Sequence, residues 1–240
     1  GMKIAVTDEL FENYPDAQIG LLIVKGINNP PSKPEIIELL HEAQEAVRAR
    51  FEGQVVSQLP QVLPWREAYR QFGAKPKKYP SSIENLIKRT LKGEQLNSIN
   101  SLVDIYNIVS LRHVLPVGAE DLSRMQGDLR LTIAGDNEPP VKLLGEKEAR
   151  PPYPNEVIYT DDLGAICRRW NWKEADRTKL TNESRNVLFV IEILPPIERA
   201  TLTNAMSDLE DLLHQFVGEP DWMKTAVLNS NSPQFEFSLS

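Results

Sequence analysis

The residues best suited to chemistry gather between positions 168 and 173, where Arg168, Arg169, Trp170, Trp172 and Lys173 interleave cationic groups with indole rings. Such a set stacks on unpaired bases and binds phosphates, which is the chemistry of a tRNA acceptor end. The same alternation at a strand end also describes a buried tryptophan beside a solvated arginine. A second basic group, Lys75, Lys77 and Lys78 followed by Lys88, Arg89 and Lys92, fits either contacts to a phosphate backbone or a solvated face. Asn100, Asp104 and Asn107 recur on one helix face, where they orient Arg112 or the backbone of residues 115–122 in a structural hydrogen-bond network. Histidines stand only at 41, 113 and 214. They form no readable triad, and HExxH, CxxC, nucleophile-elbow and phosphate-cradling glycine patterns are absent. His41, beside an apolar helix stripe, reads as a structural or surface residue, because a metal site needs convergent partners. A site that only positions a water leaves no motif.

The elements that must place these groups are legible from periodicity. Residues 3–6 and 19–25 read as strands, the second buried. Ser32 and Glu35 form a capping-box pattern ahead of a helix to about residue 51, with Ile36, Leu40, Ala43, Val47 and Phe51 on one face. A short helix follows Pro64. Ser81 and Glu84 repeat the capping-box pattern before Ile83, Leu86, Ile87 and Leu91, and Gly93 stops that helix. Leu102, Val103, Tyr106 and Val109, with Ile99 ahead of them, form the stripe of the next one. Residues 115–122 read as a Pro/Gly elbow. A hairpin is expected from 129–134 to 141–144 through the Gly135–Asn137 turn. Strands follow at 156–160 and 165–170, and 186–194 is the strongest strand, near-continuously apolar and central. Pro195 and Pro196 end it before a helix with a wide stripe from Leu202 to Val217. Residues 234–238 add an edge strand. Helices concentrated in the first half and strands in the second predict an α+β architecture with mostly antiparallel sheets.

Composition agrees with a globular protein of one large core or two small ones: 240 residues, 41% hydrophobic and 25% charged. No apolar run reaches the ~20 residues of a membrane span, and no leader pattern is seen. Gly1 ahead of Met2 reads as a cloning remnant. A lone Cys167 excludes an intramolecular disulfide and points to a cytoplasmic protein. The net charge of −7 argues against broad, sequence-blind nucleic-acid binding while allowing a local basic patch.

Four blocks in order, FGAKPKKYPSSIENL, INSLVDIYNIVSLRHVLPVGAEDL, TDDLGAICRRW and TNESRNVLFVIE, resemble the B3/B4 domain of the phenylalanyl-tRNA synthetase beta subunit. The resemblance implies a layered α+β fold containing a β-sandwich flanked by helices. It divides one 1–240 domain into a core of about 75–218, an N-terminal extension of about 1–74 packed on it, as in free-standing versions, and a tail of 219–240. In the synthetase this domain hydrolyses tyrosine wrongly attached to the phenylalanine tRNA. Carried over by position, Gly118 stands where the bacterial editing domain has a histidine. Arg168, Arg169, Trp170, Asn171 and Trp172 replace a glycine-rich run, and Val190 replaces the glutamate that recognises the tyrosine hydroxyl. Loss of that polar group argues against tyrosyl specificity. Glu192 lies on the same strand face as Val190 and is the candidate catalytic or recognition group of a displaced pocket. Two functions follow. One is a trans-acting hydrolase that deacylates a misacylated tRNA. The other is a non-catalytic module binding tRNA, an amino acid or another small metabolite. Neither calls for a cofactor or metal. A structural partner of another protein would instead need an exposed apolar patch around Trp222 and Phe235.

Overall fold

The protein is represented by a computed structural model, which describes residues 1–240. Two sheets and six α-helices form it. The strands are β1 (Met2–Val6), β2 (Gln18–Lys25), β3 (Val117–Asp121), β4 (Leu129–Ile133), β5 (Val157–Asp161), β6 (Gly164–Arg168), β7 (Lys173–Glu174), β8 (Asn186–Ile193), β9 (Trp222–Leu228) and β10 (Gln234–Phe237). The helices are α1 (Asp8–Asn13), α2 (Pro34–Phe51), α3 (Leu63–Gln71), α4 (Ser82–Leu91), α5 (Ser101–His113) and α6 (Arg199–Val217). One sheet has the order β10-β1-β4-β5-β6-β7, and the other β3-β8-β2-β9. Only β1 and β4 pair in parallel, so the architecture is the expected α+β with mostly antiparallel sheets.

The apolar runs decide the middle of the smaller sheet. β8 lies between β3 and β2, and β2 between β8 and β9, so both strands are covered by neighbours on their edges and by packing on both faces. Leu21, Leu22, Ile23, Val187, Leu188 and Phe189 are accordingly buried. On one face α6 closes down on β2. A Cβ at Gly20 would stand 2.7 Å from the Met206 sulfur and 2.9 Å from a Leu202 methyl, so glycine is what admits the helix there. The other face looks toward the larger sheet. One continuous core joins both sheets and draws on residues before and after position 75, from Ile4 to Phe237.

Local chemistry departs from the expected pattern in several places. Ser81 accepts the Glu84 amide at 3.3 Å and caps α4, but the Glu84 carboxylate does not reach back. It is buried and takes the Arg66 fork at 2.9 and 2.8 Å as well as the Lys88 ammonium. Lys33, not Ser32, caps α2, without a side-chain bond. Ser32 and Ser98 instead donate their hydroxyls to Asp104, which also accepts the Ile99 amide at 2.9 Å. Asp104 therefore pins the loops ahead of α2 and α5. It does not orient Arg112, which pairs with Asp208 at 3.0 Å. Ile99 stays outside the core at 66% exposure.

The expected elbow is strand β3, because its alternating side chains pair with β8. The expected 129–144 hairpin does not form. β4 pairs with β1 and β5, while Val141 makes only an isolated bridge to Arg150. β10 is the expected edge strand, paired with β1, whereas β9 was not foreseen. Trp222 and Phe235 are partly buried against the core, so they form no free apolar patch.

Overpacking a close helix–sheet contact costs about 1–3 kcal/mol. Gly20→Val is therefore expected to lower unfolding free energy by about that amount in a urea titration, while Gly118→Ala, whose Cβ would meet nothing within 4 Å, leaves the midpoint near that of the wild type.

Candidate functional site

Pairing across β3 and β8 selects the side chains that enter the space between the sheets. Gly118 stands opposite Val190, and Glu120 opposite Leu188. Directly paired residues project from one face. Gly20 and its partner Ile191 face α6, so Gly118, Glu120, Leu188, Val190 and Glu192 face the larger sheet. The two sheets leave a cavity of about 650 Å³ there. Tyr159, Ile166 and Cys167 form the opposing wall. Tyr106 and Asn107 of α5 and Ser82, Asn85 and Arg89 of α4 form a third side, and Trp170–Lys173 a fourth. A more open hollow around His41 has a single apolar wall residue, Ile37, and offers no desolvated site.

Glu192 joins these walls. One carboxylate oxygen accepts the Tyr159 hydroxyl and the Trp170 indole N–H, both at 2.5 Å, and the other accepts the Asn171 amide at 3.1 Å. The Asn171 carbonyl in turn accepts the Tyr69 hydroxyl at 2.9 Å and the Ser82 amide at 3.1 Å. Burial pushes the Glu192 carboxyl up to about 7, against the three donors, which favour its ionised form. Burial, with the charge of Glu192, pushes the Tyr159 phenol up as well.

This network holds an unusual turn. Arg169 and Trp170 both have left-handed backbone, with φ of 47° and 61°, a conformation that costs bulky residues on the order of 1 kcal/mol or more each. The Arg169 amide bonds Glu156 at 3.0 Å and the Trp170 amide bonds the Val157 carbonyl at 2.7 Å. The Trp170 ring is fully buried, edge-on to Tyr14 and Trp65 at 4.9 and 5.0 Å.

The two arginines are not solvated, contrary to the structural reading of their spacing. Arg168 is buried in an ion pair with Glu156 at 2.6 Å and stays off the cavity wall. The Arg169 guanidinium lies over the Tyr79 ring at 3.6 Å, within 4.7 Å of Trp172 and 5.2 Å of Tyr153, and no carboxylate pairs with it. Burial first, and then Arg168, lowers its pKa. Trp172 meets Tyr79 edge-on at 4.9 Å, Lys78 stands over Tyr79 at 5.3 Å and Lys173 over Trp172 at 5.4 Å. Tyr153 is 62% exposed. An aromatic and cationic rim thus borders the cavity.

Of the residues singled out by sequence, Lys78, Arg89, Asn107, Gly118, Trp170, Asn171, Trp172, Lys173, Val190 and Glu192 share this cavity. Arg89 is held by Glu94 at 2.8 Å. Arg168 and Arg169 lie behind the wall, Lys88 is bound to Glu84, and Lys75 and Lys77 are exposed elsewhere.

Two further carboxyls, Glu120 and Glu174, were not signalled by the sequence. They stand within hydrogen-bond reach of each other, and Thr178 donates to Glu120 at 2.7 Å. Burial raises both, Glu174 to about 7, with the neighbouring carboxyl raising Glu120 further. Alternation within β3 would have pointed Glu120 beside Gly118, had the segment been read as a strand. Burial, and then Glu120, also pushes the Cys167 thiol up, which keeps it neutral. No cluster of three or more His, Cys, Asp or Glu side chains is placed to hold a metal.

The sequence profile of the B3/4 domain matches residues 64–218. The chain belongs to the B3/4 domain family. As a B3/4 domain it is similar to the uncharacterized protein YhzB of Bacillus subtilis (strain 168), at 22% identity over 90% of this chain and 96% of that one. It is 28% identical over 110 residues to the phenylalanine–tRNA ligase beta subunit of Fusobacterium nucleatum, covering 46% of this chain but 13% of that subunit. An N-terminal fragment of the phenylalanyl-tRNA synthetase beta subunit from Pyrococcus horikoshii superposes with a TM-score of 0.46 at 10% identity, over 90% of this chain and 49% of the fragment. No helix of this B3/4 domain is long and apolar enough to cross a membrane.

A carboxyl whose folded pKa lies near 7, above an unfolded value near 4.5, contributes stability that is present below about pH 4.5 and lost as pH rises through 7. Wild-type denaturation midpoints are expected to fall between about pH 5 and 7.5. Glu192→Gln should flatten that fall by up to about 1.4 kcal/mol per pH unit, with the raised Glu120–Glu174 pair supplying the slope that remains. An unaltered slope in the variant would contradict the assignment.

Proposed function

We propose that this B3/4 domain is a tRNA-associated protein that takes the aminoacyl 3′ end of a misacylated tRNA into the intersheet cavity and hydrolyses the ester. The observation that carries the reading is the juxtaposition of a cavity of mixed apolar and polar walls with a rim of Tyr79, Trp172, Lys78 and Lys173. A rim of that kind stacks on splayed bases and neutralises phosphates, while the cavity shields an amino-acid side chain. The relative named as a phenylalanine–tRNA ligase beta subunit supports the tRNA association. The reaction adds water across the ester carbonyl, breaks the bond to the ribose oxygen, and returns a proton to that oxygen. With the Cys167 thiol neutral, the attacking group is a bound water and not a covalent nucleophile.

Tyrosyl substrates fit this site poorly. Val190 offers no acceptor, and three of the roughly four lone-pair positions of Glu192 are already occupied. We assign Glu192 a positioning role, holding the Arg169–Asn171 turn and through it the rim. That engagement, together with the absence of any histidine from the cavity wall, also favours a second reading, in which the site binds the same end without turnover. A cytoplasmic location accords with either reading.

Deacylation of a panel of mischarged tRNAs separates them. Turnover of at least one non-tyrosyl substrate is expected, and Trp172→Ala should raise KM about tenfold while leaving kcat largely intact, the loss of roughly one stacked base. Tight binding of aminoacyl-tRNA without turnover would establish the second reading. No turnover and no preference for aminoacylated over deacylated tRNA would overturn both.

A further inference from the structure

A second group of side chains on the cavity wall differs from the rim. Glu120 and Glu174 face each other there without a cationic side chain in contact. Arg177, which faces Glu120, is committed to Asp161 at 2.6 Å. Lys179, which faces Glu174, is committed to Asp176 at 2.9 Å. The pair is short of a metal site, since no third His, Cys, Asp or Glu joins it. Two other groups on the same walls have unused hydrogen-bonding capacity. The Ser82 hydroxyl is buried with no partner, and the half-buried Tyr106 of the neighbouring helix also lines the cavity, its phenol raised by burial, then by Glu174 and Glu120. Buried polar groups are normally satisfied. A buried hydroxyl left unpaired on the wall of a cavity that also carries a carboxylate pair without a cation marks a place where a ligand supplies the missing partner.

We infer that the Glu120–Glu174 pair is the recognition site for a protonated primary amine of the ligand, with Tyr106 as the third acceptor around the ammonium. Three acceptors suit the three N–H bonds of an ammonium ion. Its charge compensates a carboxylate that the protein leaves without a cation. In a site 650 Å³ in volume, the amine belongs to an amino acid or aminoacyl ester, either as the α-ammonium or as a side-chain ammonium. This rests on the reading of the cavity as a ligand site and not on hydrolysis. It makes the site selective for free primary amines, so aminoacyl groups that carry none are excluded.

Calorimetric titration of the full chain with small esters tests this without tRNA. L-leucine methyl ester carries only the α-ammonium, Nα-acetyl-L-lysine methyl ester only the side-chain ammonium, and N-acetyl-L-leucine methyl ester neither. At least one of the first two is expected to bind tenfold or more tighter than the third, and which of them does so identifies the source of the amine. The Glu120→Gln/Glu174→Gln variant should abolish the difference while circular dichroism confirms its fold. Equal binding of blocked and free esters, or no binding of any, overturns the inference, as does an unchanged preference in the folded variant. Failure here alongside deacylation of a mischarged tRNA would remove the amine site and leave the proposed function standing. Amine-selective binding without any effect of tRNA would do the reverse.

Discussion

A single buried carboxylate ties the architecture together. Glu192 comes from the central strand of the smaller sheet, Tyr159 from the larger sheet, and Trp170 and Asn171 from the turn after β6, and all three donate to it. Asn171 extends the link to α3 through Tyr69 and to α4 through the Ser82 amide. Hydrogen bonds to a charged acceptor contribute about 1.5–3 kcal/mol each, and removing the acceptor would leave three buried donors unpaired. The left-handed Arg169–Trp170 backbone persists because this network and the edge-on aromatic contacts over-determine it. The position of the rim follows from that turn, since Trp172 and Lys173 come immediately after it.

Much of the fold was legible because period and capping spoke for themselves. The apolar run of β8 and the stripes of α2, α4 and α6 needed no tertiary knowledge. The failures share a cause: local signals were outbid by partners distant in sequence. Pro116 and Gly118 suggest an elbow until β8 supplies a ladder for residues 117–121. The Gly135–Asn137 turn suggests a hairpin, but β4 finds β1 and β5 as better neighbours. Ser32 has the spacing of a cap, yet its hydroxyl goes to Asp104, 72 positions away.

The site was half legible for the same reason. Alignment within one strand placed Val190 and Glu192 on one face, and Gly118 fell opposite Val190 once β3 was paired. The arginine and tryptophan spacing could not reveal which rings would be buried, because the answer lies in Glu156, Glu192, Tyr79 and Tyr153, contributed from three other parts of the chain. Glu120 and Glu174 are 54 positions apart and meet only through the sandwich. An acidic chain of net charge −7 is compatible with a local cationic rim, because the interaction of exposed charges is screened beyond roughly 10 Å at 0.1 M ionic strength.

The central claim is that one cavity holds an amino-acid group while its rim holds the nucleotide. A crystal structure of the protein with the amide-linked analogue 3′-(L-leucylamino)-3′-deoxyadenosine, which cannot be hydrolysed as an ester, tests it most directly. The account predicts the leucyl side chain between the sheets beside Val190 and Gly118, and the adenine stacked at Trp172 and Tyr79. An analogue bound at another surface, or a cavity left without it at saturating concentration, would contradict the account.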